Sequence, residues 1–259
     1  GVQVMPINTV FQLAVHDRAE LEKARRLLLI PELVVHALCG AAVGERSSAS
    51  TTGLLDVATG AFADDLLAEI GVAPSLLPGV QAAPGELGRW RGVPVTLVGG
   101  HDTASAVVAL GAPGAAFVSA GSWVLAGVER PAAVLSAEAR AANLSNEAGA
   151  LGGVRLLRNV PGLAVIEALA REHGATAAEL LAAAASATPV MVDAAALAAA
   201  MAEGPAAGLR AAGGRPDATT PELAAGIVSA IARGVGEVVA DVERVTGTSV
   251  ARLRVGGGG

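Results

Sequence analysis

Residues Val93 to Leu125 read VPVTLVGGHDTASAVVALGAPGAAFVSAGSWVL, and the fold class turns on them. Val93-Pro94-Val95-Thr96-Leu97-Val98 is a β-rich apolar run closed by Gly99-Gly100, which predicts a buried strand delivering the chain to a sheet edge. His101-Asp102-Thr103 makes a polar corner, and Ala104 to Leu110 is apolar enough for a helix packed on that sheet. Gly111-Ala112-Pro113-Gly114 breaks the pattern and marks a boundary between domains. Ala115 to Ala120 and Trp123 to Val128 follow as two apolar strands joined by Gly121-Ser122, the spacing of a two-residue hairpin with glycine first. Strands and helices in this order predict an α/β fold.

Both corners carry chemistry. In open α/β sheets ligands collect beyond the carboxyl ends of the strands, so Asp102 is placed to act on one. It fits equally the N-cap of the helix, accepting hydrogen bonds from the orphan amides of the first turn. The two roles compete, because a carboxylate committed to backbone donors has less basicity left for substrate. Gly121-Ser122 is either a plain tight turn or a place where small residues let backbone amides and a hydroxyl approach an anion.

Composition narrows the classes. A chain of 259 residues can hold two domains. Net charge is −6 with no basic stripe and aromatics at 2%, which argues against a nucleic-acid partner. The lone Cys39 excludes an internal disulfide framework and fits a reducing compartment such as the cytoplasm. His16, His36, His101 and His173 are scattered, and His36 with Cys39 reads as helix packing, not a metal site. The single lysine, Lys23, does not follow a glycine, so a Walker-type loop is excluded. Nucleotide phosphates would have to be held by turns, hydroxyls and a metal. The most apolar region, Leu180 to Met201, is interrupted by Pro189 and Asp193 and predicts a helical pair, not a membrane span.

Along the rest of the chain, Leu21 to Leu29 is helical in composition, and Pro31 opens a second helix that Gly40 ends. Ser47 to Thr52 reads as a solvated loop, with contacts inside a buried cleft as the alternative. Phe62 to Ile70 predicts a helix, and Pro74 to Gly92 a turn-rich approach to the central strand. Asn143 to Gly149 predicts a polar loop, Leu151 to Leu157 a strand and Gly162 to Ala170 a helix. Pro221 to Val245 is a long helix with Thr220 as cap and Gly247 as stop. Arg252 to Val255 is a final strand running into Gly256 to Gly259.

Several stretches, in order, resemble the FGGY family of carbohydrate kinases: VQVMPINTVFQL, LLLIPELVVHALCG, SASTTGLLDVATGAF, GGHDTASAVVAL, SAGSWVLAGVE, NLSNEAG, LLRNVPGL and the terminal VGGGG. GHDTASA followed by the G-[ST]-W turn is the most specific. The resemblance implies two actin-like, ribonuclease-H-like α/β domains around a cleft. Residues 1–112 would be the rear part of the sugar-binding domain, and 113–259 the nucleotide-binding domain, truncated at its end. It implies ATP-dependent phosphorylation of a ketose, L-rhamnulose first and fuculose, ribulose or xylulose as alternatives, using ATP and Mg²⁺, with neither nucleic acid nor membrane as partner. Asp102 would be the general base, with His101 and Thr103 holding the sugar and Asn159 contacting substrate. Ser122 stands where the family usually has threonine at the phosphate turn, and Glu167 where it commonly has a glutamine near the nucleotide. Gly257 and Gly258 would lie against the adenosine. The resemblance further implies an internal piece, lacking the family's first phosphate turn and inactive by itself.

Two other classes compete. A Ser-His-Asp hydrolase could use Ser122, His101 and Asp102, although adjacent His and Asp side chains rarely orient one another and the G-x-S-x-G elbow is missing. The other is a sugar- or nucleotide-binding remnant without turnover.

Overall fold

The computed structural model describes residues 1–111 and 114–257, with residues 201–203 described as backbone only. Ala112 and Pro113, in the expected domain break, and Gly258 lie outside the described residues. The chain divides into two compact units, Gly1–Ala115 with Val128–Leu157, and Ala116–Gly127 with Arg158–Gly259.

The first unit opens with α1 (Thr9–Val15) and α2 (Arg18–Lys23). Asp17 caps α2 by accepting the Ala19 amide at 2.8 Å. The helix expected over 21–29 is cut short at Lys23, because the following segment is drawn into a loop pairing in which the Leu27 amide donates to Leu76 O at 2.8 Å. In α3 (Ile30–Cys39), Pro31 sits in the first turn and Gly40 ends the helix with φ 76°. Next come β1 (Gly44–Glu45), α4 (Arg46–Ala49) and a 3₁₀ turn over Ser50–Thr52. Ser47, Ser48, Ser50 and Thr52 are buried, so the solvated-loop expectation is overturned. Burial is tolerable because the hydroxyls turn inward on the backbone: Ser50 Oγ donates to Ser47 O, Thr51 Oγ1 to Ser48 O and Thr52 Oγ1 to Ala49 O.

Beyond α5 (Asp64–Glu69), β2 (Val80–Gln81) pairs in parallel with β1. Leu13, Leu54, Leu67, Val72 and Leu76 form the apolar core of this region. The turn-rich approach hides β3 (Gly85–Trp90), which pairs antiparallel with β4 (Val93–Leu97) across Arg91-Gly92, both at positive φ. Only Leu97 of β4 is buried, which corrects the expectation of a buried strand: a two-stranded ribbon packed on α3 covers few of its own side chains. α6 (Asp102–Leu110) follows, burying Thr103, Ala104 and Val107.

β5 (Ala116–Ala120) and β6 (Trp123–Arg130) come next, then α7 (Ala137–Ala141), β7 (Ser145–Ala148) and β8 (Val154–Pro161). β7 replaces the expected polar loop, and all four of its residues are buried. Its polar side chains are satisfied one by one: Ser145 Oγ donates to Glu147 Oε1, and Asn146 brackets the Val134 backbone through both its amide atoms. β7 pairs antiparallel with β8, placing Glu147 opposite Arg155.

In the second unit β5 pairs in parallel with β9 (Leu253–Gly257), from Ala116↔Leu253 to Ala120↔Gly257. The helices between them are α8 (Ala164–Glu172), α9 (Ala177–Ala184), α10 (Ala194–Glu203), α11 (Pro205–Ala212) and α12 (Thr220–Thr246). Val165, Ile166, Leu169, Leu197, Leu209, Leu223 and Ile227 fill the space among them. The expected pair across Pro189 is α9 and α10, with Asp193 capping α10 through the Ala196 amide at 2.8 Å. The cap of α12 is Thr219, one residue before the expected Thr220: the Glu222 carboxylate reaches back to accept both the Thr219 amide and hydroxyl at 2.8 Å. Gly247 stops the helix with φ 64°. α12 is long and apolar enough to cross a membrane, and its Leu223, Ala224, Ile227 and Ala230 lie in the helical core of this unit.

Candidate active site

The corner after β4 departs from the reading of Asp102 as helix cap. His101, not Asp102, caps α6: its backbone is extended and its Nδ1 accepts the Ala104 amide at 3.3 Å. Asp102 is the first residue of the helix, with its side chain 94% exposed. Its Oδ1 accepts the Thr103 amide at 2.5 Å and the Thr103 hydroxyl at 3.2 Å. Its Oδ2 has no partner among the described residues.

Because Nδ1 of His101 accepts, the ring proton is assigned to Nε2. Burial lowers the His101 pKa first and the Arg155 charge second, against the opposing pull of Glu147, Asp102 and Glu45. The imidazole is therefore a neutral donor, with 22% of its side chain exposed. His101 Nδ1 and Asp102 Oδ1 lie 3.7 Å apart with both atoms already accepting, so no proton joins them. A hydrolytic Ser-His-Asp relay lacks its orienting link here.

Behind the corner stand residues that the sequence reading missed. Glu45, at the N-terminus of α4, is 2% exposed, and its Oε2 accepts the Gly100 amide at 2.8 Å, the Ser48 amide at 3.1 Å and the Ser47 hydroxyl. Ser47 Oγ in turn accepts the His101 amide at 3.2 Å. The Glu45 amide donates to Oε1 of Glu32, also 2% exposed, whose Oε2 is buried without a partner among the described residues. Ser50 Oγ accepts the Ala148 amide at 2.8 Å. Arg155 is wholly buried, with one nitrogen 3.1 Å from Glu147 Oε2, another 3.3 Å from Ala148 O, and Nη1 without a partner among the described residues. Desolvation lowers the Arg155 pKa, while Glu147 foremost and then Glu129, Asp102 and Glu45 favour the charged form. The available signals were faint: an acid three residues before a serine amide at a helix start, and an arginine on the inward alternation of a strand.

The turn between β5 and β6 belongs to the second unit. Gly121 N donates to Trp123 O at 3.0 Å, and neither Gly121 nor Ser122 has positive φ, so this is not the primed turn that the spacing suggests. The turn is held from outside: the carbonyls of Gly121 and Ser122 accept the Leu163 and Ala164 amides at the entry to α8. Gly162 is needed there, since a Cβ would lie 2.7 Å from Ser122 O. Ser122 is exposed, and its hydroxyl has no partner among the described residues. Glu167 is exposed on α8, and Asn159 is half-buried on β8. Gly257, at φ 127°, lies so close to the Ala120 carbonyl that a Cβ would collide with it. Thus His101, Asp102 and Thr103 belong to the first unit, and Ser122, Asn159, Glu167 and Gly257 to the second. Among the described residues there is no group of three or more His, Cys, Asp or Glu side chains placed to hold a metal ion.

Residues 1–109 match the profile of the FGGY family of carbohydrate kinases, N-terminal domain. These residues belong to that family's N-terminal domain. It is 37% identical over 185 residues to a rhamnulokinase of Enterococcus faecalis and 37% identical over 191 residues to one of Bacillus subtilis. Each match covers 66% of this chain and 37% or 38% of the relative, so the matched stretch spans less than half the length of these relatives. In fold it resembles the xylulose kinase of Lactobacillus acidophilus (TM-score 0.73, 16% identity, 100% of this chain and 56% of that one). It also resembles Plasmodium falciparum glycerol kinase with ADP (TM-score 0.68, 15% identity, 96% of this chain and 55% of that one). The α/β fold is that of the FGGY sugar kinases.

Proposed function

We propose that these residues serve ATP-dependent phosphorylation of a ketose, with Asp102 as general base. The observation that carries this reading is the helix cap: since His101 holds the Ala104 amide, the Asp102 carboxylate engages only Thr103, through Oδ1, and Oδ2 has no partner among the described residues. Oδ2 takes the proton from the primary hydroxyl of the sugar as its oxygen bonds to the γ-phosphorus of ATP. The bond from that phosphorus to the bridging oxygen breaks, and ADP leaves. Thr103 orients the carboxylate through Oδ1. His101 offers Nε2–H to a sugar hydroxyl, and Asn159 is a further substrate contact. Phosphoryl transfer passes through a loose transition state, so orientation and well-aimed donors carry most of the acceleration.

Residues 1–112 form the sugar side of this assignment and 113–259 the nucleotide side, with Ser122, Glu167, Gly257 and Gly258 as nucleotide contacts. Mg²⁺ belongs to the reading as the counter-ion of the ATP phosphates, and no step runs through it. L-rhamnulose, yielding L-rhamnulose 1-phosphate, is the preferred ketose, supported by the relatives' name of rhamnulokinase, ahead of fuculose, ribulose and xylulose. The lone Cys39 supports a cytoplasmic setting, and the net charge of −6 supports small-molecule partners over nucleic acid.

In a kinase of the relatives' length carrying these residues, sugar-dependent ADP release is measured with each of the four ketoses. Asp102→Asn should lower kcat by about 10² to 10⁴ with folding unchanged, the usual weight of a general base. Near-parental turnover in that variant would remove Asp102 from the chemistry.

A further inference from the structure

Gly99-Gly100 is a poor device for aiming anything, since glycine pairs carry the largest backbone entropy of any dipeptide. Yet everything proposed for His101 and Asp102 depends on where that dipeptide turns. We propose that Glu45 is the positioning residue of the His101–Asp102 corner, clamping the Gly100 amide directly and the His101 amide through Ser47. Its catalytic consequence rests on the reading of Asp102 as base, while the clamp itself does not.

The clamp is one oxygen. Oε2 of Glu45 gathers the Gly100 amide, the Ser48 amide and the Ser47 hydroxyl, so two segments 55 positions apart in sequence meet on a single atom. Ser47 relays the constraint one residue further by accepting the His101 amide. With both amides fixed, the entry to α6 is fixed, and with it the direction in which Asp102 leaves the first helical turn. Glu45 is itself held: Glu32 on α3 accepts its amide at 3.0 Å. No cation lies within ion-pair distance of Glu45 among the described residues, so neutral donors make the direct contacts to its buried carboxylate while the Arg155 charge acts on it from farther off. That satisfies burial only while every donor stays in place, which makes the arrangement all-or-none. There is no slack at the receiving end either, because a Cβ on Gly100 would lie 2.6 Å from Ser48 Oγ and 3.3 Å from Glu45 Oε2.

The test is residue-resolved amide hydrogen exchange on this chain with Glu45→Ala, Glu45→Gln and Ser47→Ala. Glu45→Ala should speed exchange at Gly100 and His101 by roughly tenfold relative to Leu97 and Val107, the weight of one charge-assisted hydrogen bond. Glu45→Gln, whose amide oxygen can occupy the Oε2 position, should stay within about threefold of the parent. Ser47→Ala should speed His101 and leave Gly100 protected. Even acceleration across the first unit, an unchanged Gly100, or loss of Gly100 protection in Ser47→Ala would each overturn the clamp. If Glu45→Ala does not fold, the other two variants still decide the matter. In the kinase assay, Glu45→Gln should retain most of the kcat and sugar KM that Glu45→Ala loses, with the KM for ATP unmoved in both. If the exchange pattern holds while Asp102→Asn leaves turnover intact, the general-base reading fails and the clamp stands.

Discussion

Gly99 and Ala150 meet so closely that a Cβ built on Gly99 would lie 2.5 Å from the Ala150 Cβ and 3.0 Å from Ser105 Oγ. Ser105 can swing away, but the methyl of Ala150 cannot. Gly99→Ala should therefore destabilise the first unit by about 1–3 kcal/mol, the usual weight of an overpacked site, and adding Ala150→Gly should recover most of the loss. Urea unfolding of the single and double variants checks this. An unchanged midpoint in the single variant would mean that the backbone gives way at no cost.

The His101 cap makes stability depend on pH. Burial, with Arg155 second, depresses the folded-state pKa below the ordinary 6.5, and protonating Nδ1 would also break the bond from the Ala104 amide. Above 6.5 both folded and unfolded states are neutral and the group contributes nothing to the pH dependence. As pH falls below that value the unfolded chain takes up a proton that the folded chain refuses, so stability is lost until the lowered folded value is reached. His101→Asn keeps a capping oxygen without titrating, and its Tm should fall less steeply than the parent's between about pH 7 and pH 5. Parallel Tm curves would show that His101 does not titrate differently on folding.

Glu32 carries the opposite slope. Burial raises its pKa above the ordinary 4.5, outweighing its backbone hydrogen bonds, and the neighbouring charge of Glu45 adds to the rise. Above 4.5 the unfolded carboxyl ionises freely while the folded one resists, so the folded state is penalised at neutral pH and relieved as pH falls through the raised value. Glu32→Gln can still accept the Glu45 amide and has no charge to bury. Its stability relative to the parent should be higher at pH 7.5 than near pH 5, judged by urea midpoints at the two values. A difference that does not change between them would place the cost elsewhere than in ionisation.

In the second unit the Ser122 hydroxyl is exposed and unengaged by the described residues, while its carbonyl is committed to Ala164. In the kinase assay Ser122→Thr should be tolerated, because either hydroxyl serves an anion. Ser122→Leu should raise the KM for ATP without disturbing the turn, which backbone bonds from Leu163 and Ala164 hold. An unaltered ATP dependence in a folded Ser122→Leu enzyme would reduce Gly121-Ser122 to a structural turn.

Much of the fold was legible where local chemistry decides it. Pro31 and Gly40 bracket α3, Asp193 starts α10, and Gly247 stops α12, because caps and breakers act within one or two residues. Failures came where a distant partner decides. Ser145 to Ala148 looks like a loop until Arg155 and Val134 satisfy its polar groups, and Ser47 to Thr52 looks solvated until its hydroxyls fold back onto the chain. The polar corner at His101-Asp102-Thr103 was legible in the sequence, but that His101 and not Asp102 caps α6 was not. A histidine cap differs from an aspartate cap by a shift of one residue, which composition does not encode. Glu45 escaped notice for a related reason, since its importance lies in Gly100, a residue with no side chain to advertise the contact.

The parallel pairing of β5 with β9 sets a timetable for the second unit. β5 leaves the ribosome well ahead of the strand it needs, and α8 to α12 emerge in between. Helices form from local contacts in microseconds, whereas β5 must wait for a partner separated by most of the unit's length. During that interval one edge of β5 stands open to pairing with any extended segment nearby, including its counterpart on a neighbouring nascent chain. The arrival of Leu253 to Gly257 ends the exposure, and the close fit of Gly257 on the Ala120 carbonyl means that no residue with a side chain could close the register at that point. Yield in the cell should therefore respond to the pace of translation through the helical segment more than to the stability of the helices it encodes.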